Sequence, residues 1–277
     1  GLFRRRGEIE RAIRMHQNLV DRPGINQKQR ERARFALAED FFSAGLLDRA
    51  EDLYLQLRGT SEHRVTALRR LLRICEITAE WDRAVDLCGE LLRIGTDTVT
   101  PGQLAHYYCE LAEEARKKSD WKEAYRLLEQ AEAVEPGKVR CTIIRGDLAA
   151  DQGQSVAAAS AYAELARAVP AMLGDILPRL LRTVPQAGLE PLLQEVTATP
   201  EGLRGIALAV IRDPQISHPA AIDCLGRFIE QQPILRDLAG AGFPGAAAAD
   251  SRRQAIERVR KALTEAISKK PHAVLLL

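Results

Sequence analysis

A short line ending in alanine recurs along this chain, and that recurrence is what most limits how the chain can fold. Trp121-Lys122-Glu123-Ala124 returns as Ile9-Glu10-Arg11-Ala12, Leu47-Asp48-Arg49-Ala50 and Trp81-Asp82-Arg83-Ala84, and more faintly as Ser155-Val156-Ala157-Ala158. The step from Ala50 to Ala84 equals that from Ala124 to Ala158, and Pro136 to Pro170 repeats it. Self-similarity at a fixed period marks a chain built from stacked supersecondary units.

That step, about 34 residues, is the period of the tetratricopeptide helix-turn-helix. The expected fold is therefore all-α, a right-handed superhelical solenoid of tetratricopeptide repeats with degenerate helical repeats at its C-terminal end. The alanine has a physical reason. The two helices of a unit must approach closely there, and a larger side chain would push them apart. Four residues later a larger side chain is wanted between units, and the chain supplies His16, Tyr54, Cys88, Leu128 and Tyr162. On the first helix of each unit Leu37-Ala38, Leu71-Leu72, Leu111-Ala112 and Arg145-Gly146 fall at one fixed distance before the alanine. Each unit alone leaves an apolar face open, so only stacking buries it.

Length does not cap such an architecture, because each repeat contacts only its neighbours. The 46% hydrophobic fraction with 5% aromatic residues points to a core of Ala and Leu, as helices prefer. Forty basic against 38 acidic residues leave +2, which argues neither for nor against nucleic acid or membrane surfaces; nucleic acid is not among the expected partners. Cys75, Cys88, Cys109, Cys141 and Cys224 form no C-x-x-C pair and read as small core residues in a reducing compartment. No apolar run reaches the roughly 20 residues of a membrane helix, so the chain as given is expected to be soluble. Gly1 falls inside the repeat pattern, and Ala273 to Leu277 is an uncapped apolar run that reads as a strand of something following, so the chain is expected to be an excerpt.

Residues 1–170 are expected to hold five repeats, the first truncated. The second helix of repeat one is Ile9 to Val20, broken by Pro23-Gly24. Repeat two runs from about Gln27 to Leu57 with its turn at Gly45. Gly59 ends its second helix and Ser61 is the expected N-cap of the next. Repeat three spans about Val65 to Ile94, a lengthened connection occupies 95–102, and repeats four and five are Gln103 to Pro136 and Gly137 to Pro170. Residues 171–277 are expected to form degenerate helical repeats and a capping helix, with helices near 173–183, 188–197, 201–212, 219–231 and 251–269. Gly240 to Ala249 is expected to be a loop.

Chemistry-bearing patterns are weak. Gly240-Ala-Gly242-Phe-Pro-Gly245 fits G-x-G-x-x-G, yet it follows no strand and has proline where the helix should begin. His106 and Cys109 share a helix face, but a zinc site needs about four ligands. No G-x-S-x-G, H-E-x-x-H or phosphate loop occurs, so the chain is not expected to be an enzyme and no catalytic residue is assigned. The better candidate is the groove lined by the first helices. The repeat template sends Arg32, Phe35, Glu39 and Phe42 there from repeat two, and Arg69, Arg73 and Glu76 from repeat three. Repeat four contributes His106, Cys109 and Glu113, and repeat five Arg140, Ile143 and Asp147. Arginines along such a wall can clamp carboxylates or carbonyls of a peptide.

Gly7-Glu-Ile-Glu-Arg-Ala-Ile-Arg-Met-His-Gln-Asn-Leu19, Ala44-Gly-Leu-Leu-Asp-Arg-Ala-Glu-Asp-Leu-Tyr54, Glu80-Trp-Asp-Arg-Ala-Val-Asp86 and Ala105-His-Tyr-Tyr-Cys-Glu-Leu-Ala112 resemble the bacterial lipopolysaccharide assembly protein B family. The resemblance runs from Gly1 to about Pro170, and Lys269-Lys270-Pro271 is similar to the family's junction before its metal domain. It implies an N-terminal membrane anchor, cytoplasmic repeats and a C-terminal rubredoxin-type zinc module with two C-x-x-C pairs. Zinc is thus expected in that module and no cofactor in this chain. The implied role is a scaffold and adaptor at the cytoplasmic face of the inner membrane. It limits lipopolysaccharide synthesis by promoting proteolysis of the lipid A pathway deacetylase by a membrane AAA+ protease. Implied partners are that protease, the deacetylase and inner-membrane lipopolysaccharide regulators, and a homodimer is left open. A general peptide-binding co-chaperone is the alternative.

Overall fold

The computed structural model describes residues 8–231 apart from 96, 214 and 217, together with Gln254, Arg258 and Lys261. The loop expected at Gly240 to Ala249 and most of the helix expected at 251–269 lie outside the described residues. Regular structure among the described residues is helical throughout. In chain order the helices are α1 Ile9–Asp21, α2 Gln27–Ser43, α3 Leu47–Arg58, α4 Arg64–Thr78, α5 Trp81–Ile94, α6 Pro101–Lys117, α7 Trp121–Val134, α8 Val139–Asp151 and α9 Ser155–Ala168. A short 3-10 turn, Pro170–Met172, leads to α10 Leu173–Thr183, α11 Gln186–Val196, α12 Pro200–Arg212 and α13 Pro219–Gln231. This is the all-α tetratricopeptide fold that the spacing requires, and it forms two compact units, residues 1–141 and 142–277.

In the first unit each helix packs on the next in sequence, as short turns dictate. The signature alanines sit at the tightest points: Ala50, Ala84 and Ala124 are fully buried, and Ala12 nearly so. Their partners one turn on, Tyr54 and Cys88, share one core with Leu37, Leu57, Leu71 and Leu91, and Leu128 is buried as well. In the second unit Ala158 and Tyr162 are likewise buried. A Cβ on Gly146 would lie 2.5 Å from the Tyr162 ring, so glycine is what admits a tyrosine at that level.

The turns within the repeats share one construction. Five residues before Ala50, Ala84, Ala124 and Ala158 the backbone is left-handed: Gly45 (φ 74°), Ala79 (57°), Ser119 (59°) and Gly153 (72°). The next residue's N–H reaches back to the carbonyl five before it, in Leu46→Phe41, Glu80→Cys75, Asp120→Ala115 and Gln154→Ala149, at 2.8 to 2.9 Å. These are Schellman closures, which need a left-handed residue to bring the chain round. Glycine takes that conformation without penalty; Ala79 and Ser119 take it at a cost of about 1 kcal/mol each.

Helix starts depart from the sequence reading in two places. Ser61 does not cap α4: that helix begins at Arg64 after His63, with no side-chain cap, because Thr60 instead donates to the Leu57 carbonyl and the chain makes a turn first. The lengthened connection ends earlier than 102. Thr100 caps α6 by accepting from Gln103 N–H, Gln103 reciprocates on the Thr100 N–H, and Pro101 takes the first helical position, where its missing donor costs nothing. The helices near 173–183, 188–197, 201–212 and 219–231 are present to within two residues.

Two stability changes of opposite sign are expected. Ala84→Leu or Ala124→Leu should cost about 1–3 kcal/mol, because overpacking a close helix contact forces the backbone apart, and a thermal melt reads the loss. Ala79→Gly and Ser119→Gly should each gain up to about 0.5 kcal/mol, what is left of the left-handed penalty once the added chain entropy of glycine is subtracted. A fall in melting temperature for both glycine variants would contradict the turn geometry.

A candidate partner-binding cleft

The first unit contains an open cleft of about 380 Å³, walled by Phe42 of α2, by Thr66, Arg69, Arg70, Leu72, Arg73 and Glu76 of α4, by Thr98 and Val99 of the connection before α6, and by Gln103. Its lining sets Phe42, Leu72 and Val99 beside three arginines. Arg69 is exposed, lines the cleft, and makes no ion pair among the described residues. Arg70 crosses Phe42 with its guanidinium 5.3 Å from the ring centre, while two of its nitrogens hold Glu39, at 2.6 and 2.7 Å. Arg73 donates to Glu76 at 2.8 Å.

Four of the expected groove residues, Phe42, Arg69, Arg73 and Glu76, are thus brought together. The others stand elsewhere or are engaged. Arg32 is exposed but paired with Glu62 at 3.0 Å, and its hydrogen bond holds that carboxyl below its ordinary range. Phe35 is half-buried and stacked on His63, ring centres 4.9 Å apart. His106 is exposed beside Trp81 and 3.8 Å from Glu110, which Arg140 also contacts at 3.2 Å. Glu113 accepts from two Arg116 nitrogens at 2.8 Å, and that pairing depresses its pKa. Cys109 does not face a groove. It is fully buried with its Sγ 3.0 Å from that of Cys141, because a thiol is small enough to fill the contact between α6 and the first turn of α8. Ile143, in the second unit, is also buried.

Glu39 and Asp147 serve the interior. Glu39 accepts from Tyr54 Oη at 2.7 Å as well as from Arg70 of the following repeat. In the second unit Asp147 accepts from Tyr162 Oη at 2.5 Å and from Arg179 at 2.8 and 3.1 Å. Burial first, and the carboxylate second, pushes the Tyr162 phenol well above its ordinary range. Both acids stand 15 positions before their tyrosine, and at one shared distance before the signature alanine. Where the interior residue is Cys88 the matching position is Arg73, and Tyr107 fills in, donating to Glu76 at 2.5 Å. That coupling of a tyrosine to an acid at a fixed upstream spacing was a signal available in the sequence. Thr98 and Val99 went unremarked because a connection carries no periodicity.

Among the described residues no three His, Cys, Asp or Glu side chains gather as a metal site would need. No described helix is long and apolar enough to cross a membrane.

Removing one phenol tests the tyrosine–acid coupling. Tyr54→Phe should cost about 1.5–3 kcal/mol, the worth of a hydrogen bond to a charged acceptor, measured by denaturant unfolding; no change would mean that Glu39 is satisfied without it.

Searched against family models, the chain matches none. Against curated proteins it is 31% identical over 243 residues to lipopolysaccharide assembly protein B of Escherichia coli (strain K12), a match that covers 85% of this chain and 61% of the relative. It is 35% identical over 176 residues to the protein of that name from Haemophilus influenzae, covering 64% of this chain and 44% of the relative. Among solved structures it is similar to YrrB, described as a tetratricopeptide protein with an unusual peptide-binding site. That match has 17% identity, covers 78% of this chain and 97% of that one, and has a TM-score of 0.36. TTC0263 of Thermus thermophilus, also a tetratricopeptide protein, matches at 20% identity over 72% and 97%, with a TM-score of 0.31. The chain spans about 61% of the length of the first curated relatives it matches. Over most of its length the chain is thus similar in sequence to lipopolysaccharide assembly protein B.

Proposed function

We propose that this chain is a non-catalytic protein-interaction scaffold in lipopolysaccharide assembly, and that its cleft holds a carboxylate-bearing segment of a protein partner. Arg69 carries the reading. Its neighbours Arg70 and Arg73 are engaged by Glu39 and Glu76, whereas Arg69 is exposed with its charge available, in a cleft that Phe42 and Val99 also line. A guanidinium in a cleft with apolar side chains suits an acidic side chain flanked by an aliphatic or aromatic one.

The finer reading follows the resemblance. The scaffold acts as an adaptor at the inner membrane that presents the lipid A pathway deacetylase to a membrane AAA+ protease and so limits lipopolysaccharide synthesis. On this reading zinc belongs to a rubredoxin-type module with two C-x-x-C pairs, a pattern that these 277 residues do not contain.

Arg69→Glu is the sharpest test, since it reverses a cleft charge that makes no ion pair among the described residues and so strips no carboxylate of its partner; Arg73→Glu would also leave Glu76 facing a like charge. The variant should keep its circular dichroism and melting temperature. Deacetylase half-life in cells should lengthen, with a loss of recruitment of roughly tenfold or more, as about 1.5–3 kcal/mol of charge-assisted contact implies. An unchanged half-life in a folded, normally expressed variant would move the recruiting surface off this cleft. Retention of many unfolded clients in a pull-down, rather than one protease and one substrate, would favour the co-chaperone alternative.

A further inference from the structure

Cys109 on α6 and Cys141 in the first turn of α8 lie 32 positions apart in the chain, yet their sulfurs stand 3.0 Å from each other and both side chains are fully buried. Cys75, Cys88 and Cys224 are buried too, but among the described residues each stands without a second thiol beside it. A contact of 3.0 Å is about 1 Å longer than a disulfide bond, a distance that side-chain rotation and a small helix adjustment can close.

We propose that Cys109 and Cys141 form a reversible oxidation site at which a cystine ties α6 to the first turn of α8. The oxidant is a small disulfide of the glutathione class. One thiol, as its thiolate, attacks an oxidant sulfur; the oxidant's S–S bond breaks and releases one free thiol. The second cysteine then attacks the mixed disulfide on the protein, forming the Cys109–Cys141 bond and releasing the other thiol. The protein loses two protons and two electrons, and the oxidant's disulfide takes up both. The buried surroundings set the rate. The two thiols share a hydrogen bond and lie out of water, which pushes the Cys109 thiol above its ordinary range and keeps thiolate scarce. Oxidation therefore waits on local opening of this contact, and the cystine, once closed, is shielded from reductants by the same packing.

The test uses the full chain incubated under native conditions with excess oxidised glutathione, beside a sample kept in dithiothreitol. Both are then alkylated after denaturation and mapped by proteolysis and mass spectrometry. The expected product is one intramolecular link joining the Cys109 and Cys141 peptides, lighter by the mass of two hydrogen atoms, with Cys75, Cys88 and Cys224 still alkylated. Dithiothreitol should reverse it, and the oxidised protein should melt several degrees higher, since a cross-link restricts the unfolded chain. Cys141→Ser should abolish the link, and the wild-type melt, oxidised against reduced, stands independently should that variant fail to fold. Full alkylation of all five cysteines after oxidant treatment, a glutathione adduct without a protein cross-link, or a link to another cysteine would each overturn the proposal.

Discussion

Everything in the repeats depends on how closely two helix backbones approach at the signature alanine. Ala50, Ala84, Ala124 and Ala158 are each fully buried, as a close approach of the two helices of a unit demands. That spacing in turn fixes where the next large side chain must lie and how tight the turn must be. The left-handed residue five positions earlier follows from the same constraint, because a chain reversing over so short a span can satisfy its last carbonyls only through the long back-reaching bond of a Schellman closure. Interior alanine and turn geometry are therefore one requirement expressed twice. Ala79 and Ser119 show that the turn is kept even where the residue is not glycine.

A second layer of order comes from polar groups. A tyrosine buried beside an alanine contact brings its hydroxyl inside, and an unpartnered hydroxyl there would be costly. The chain answers with a carboxylate on the preceding helix and an arginine that reaches it from a later one. Glu39 joins Tyr54 to Arg70, and in the second unit Asp147 joins Tyr162 to Arg179. The cleft owes its charge to this arrangement. Arg70 is spent on the interior and Arg73 on Glu76, so the cationic character left in the cleft is concentrated at Arg69.

The helical skeleton was legible in the sequence because its cause is local and periodic. The constant step, the alanines and the proline-marked starts after Pro170 locate helices to within a residue or two at most ends. The cleft was legible only in part, since a template position says which way a residue points in an idealised repeat but not what its neighbours do with it. Arg69 and Phe42 are where the template sends them. Cys109 is not, because its small side chain is drawn into the contact with Cys141, and Glu39 and Asp147 are withdrawn by tyrosines whose identity varies from repeat to repeat. Thr98 and Val99 reach the cleft through a connection whose path no periodicity describes.

The reach of Arg70 across to Glu39 has a meaning for how such repeats can be cut and exchanged. Repeat two carries a carboxylate, set beside a buried phenol, whose counter-charge is encoded in repeat three. A piece ending after α3 would strand that carboxylate, half-shielded and without its cation, at its newly exposed end. Repeat three carries Arg73 and Cys88 where repeat two carries Glu39 and Tyr54, so swapping the two units would part Glu39 from the Arg70 that follows it. Although the backbone is periodic, the units are not interchangeable parts: neighbour order is written into the charges, and an added or transplanted repeat would have to bring its own tyrosine, acid and arginine as a set.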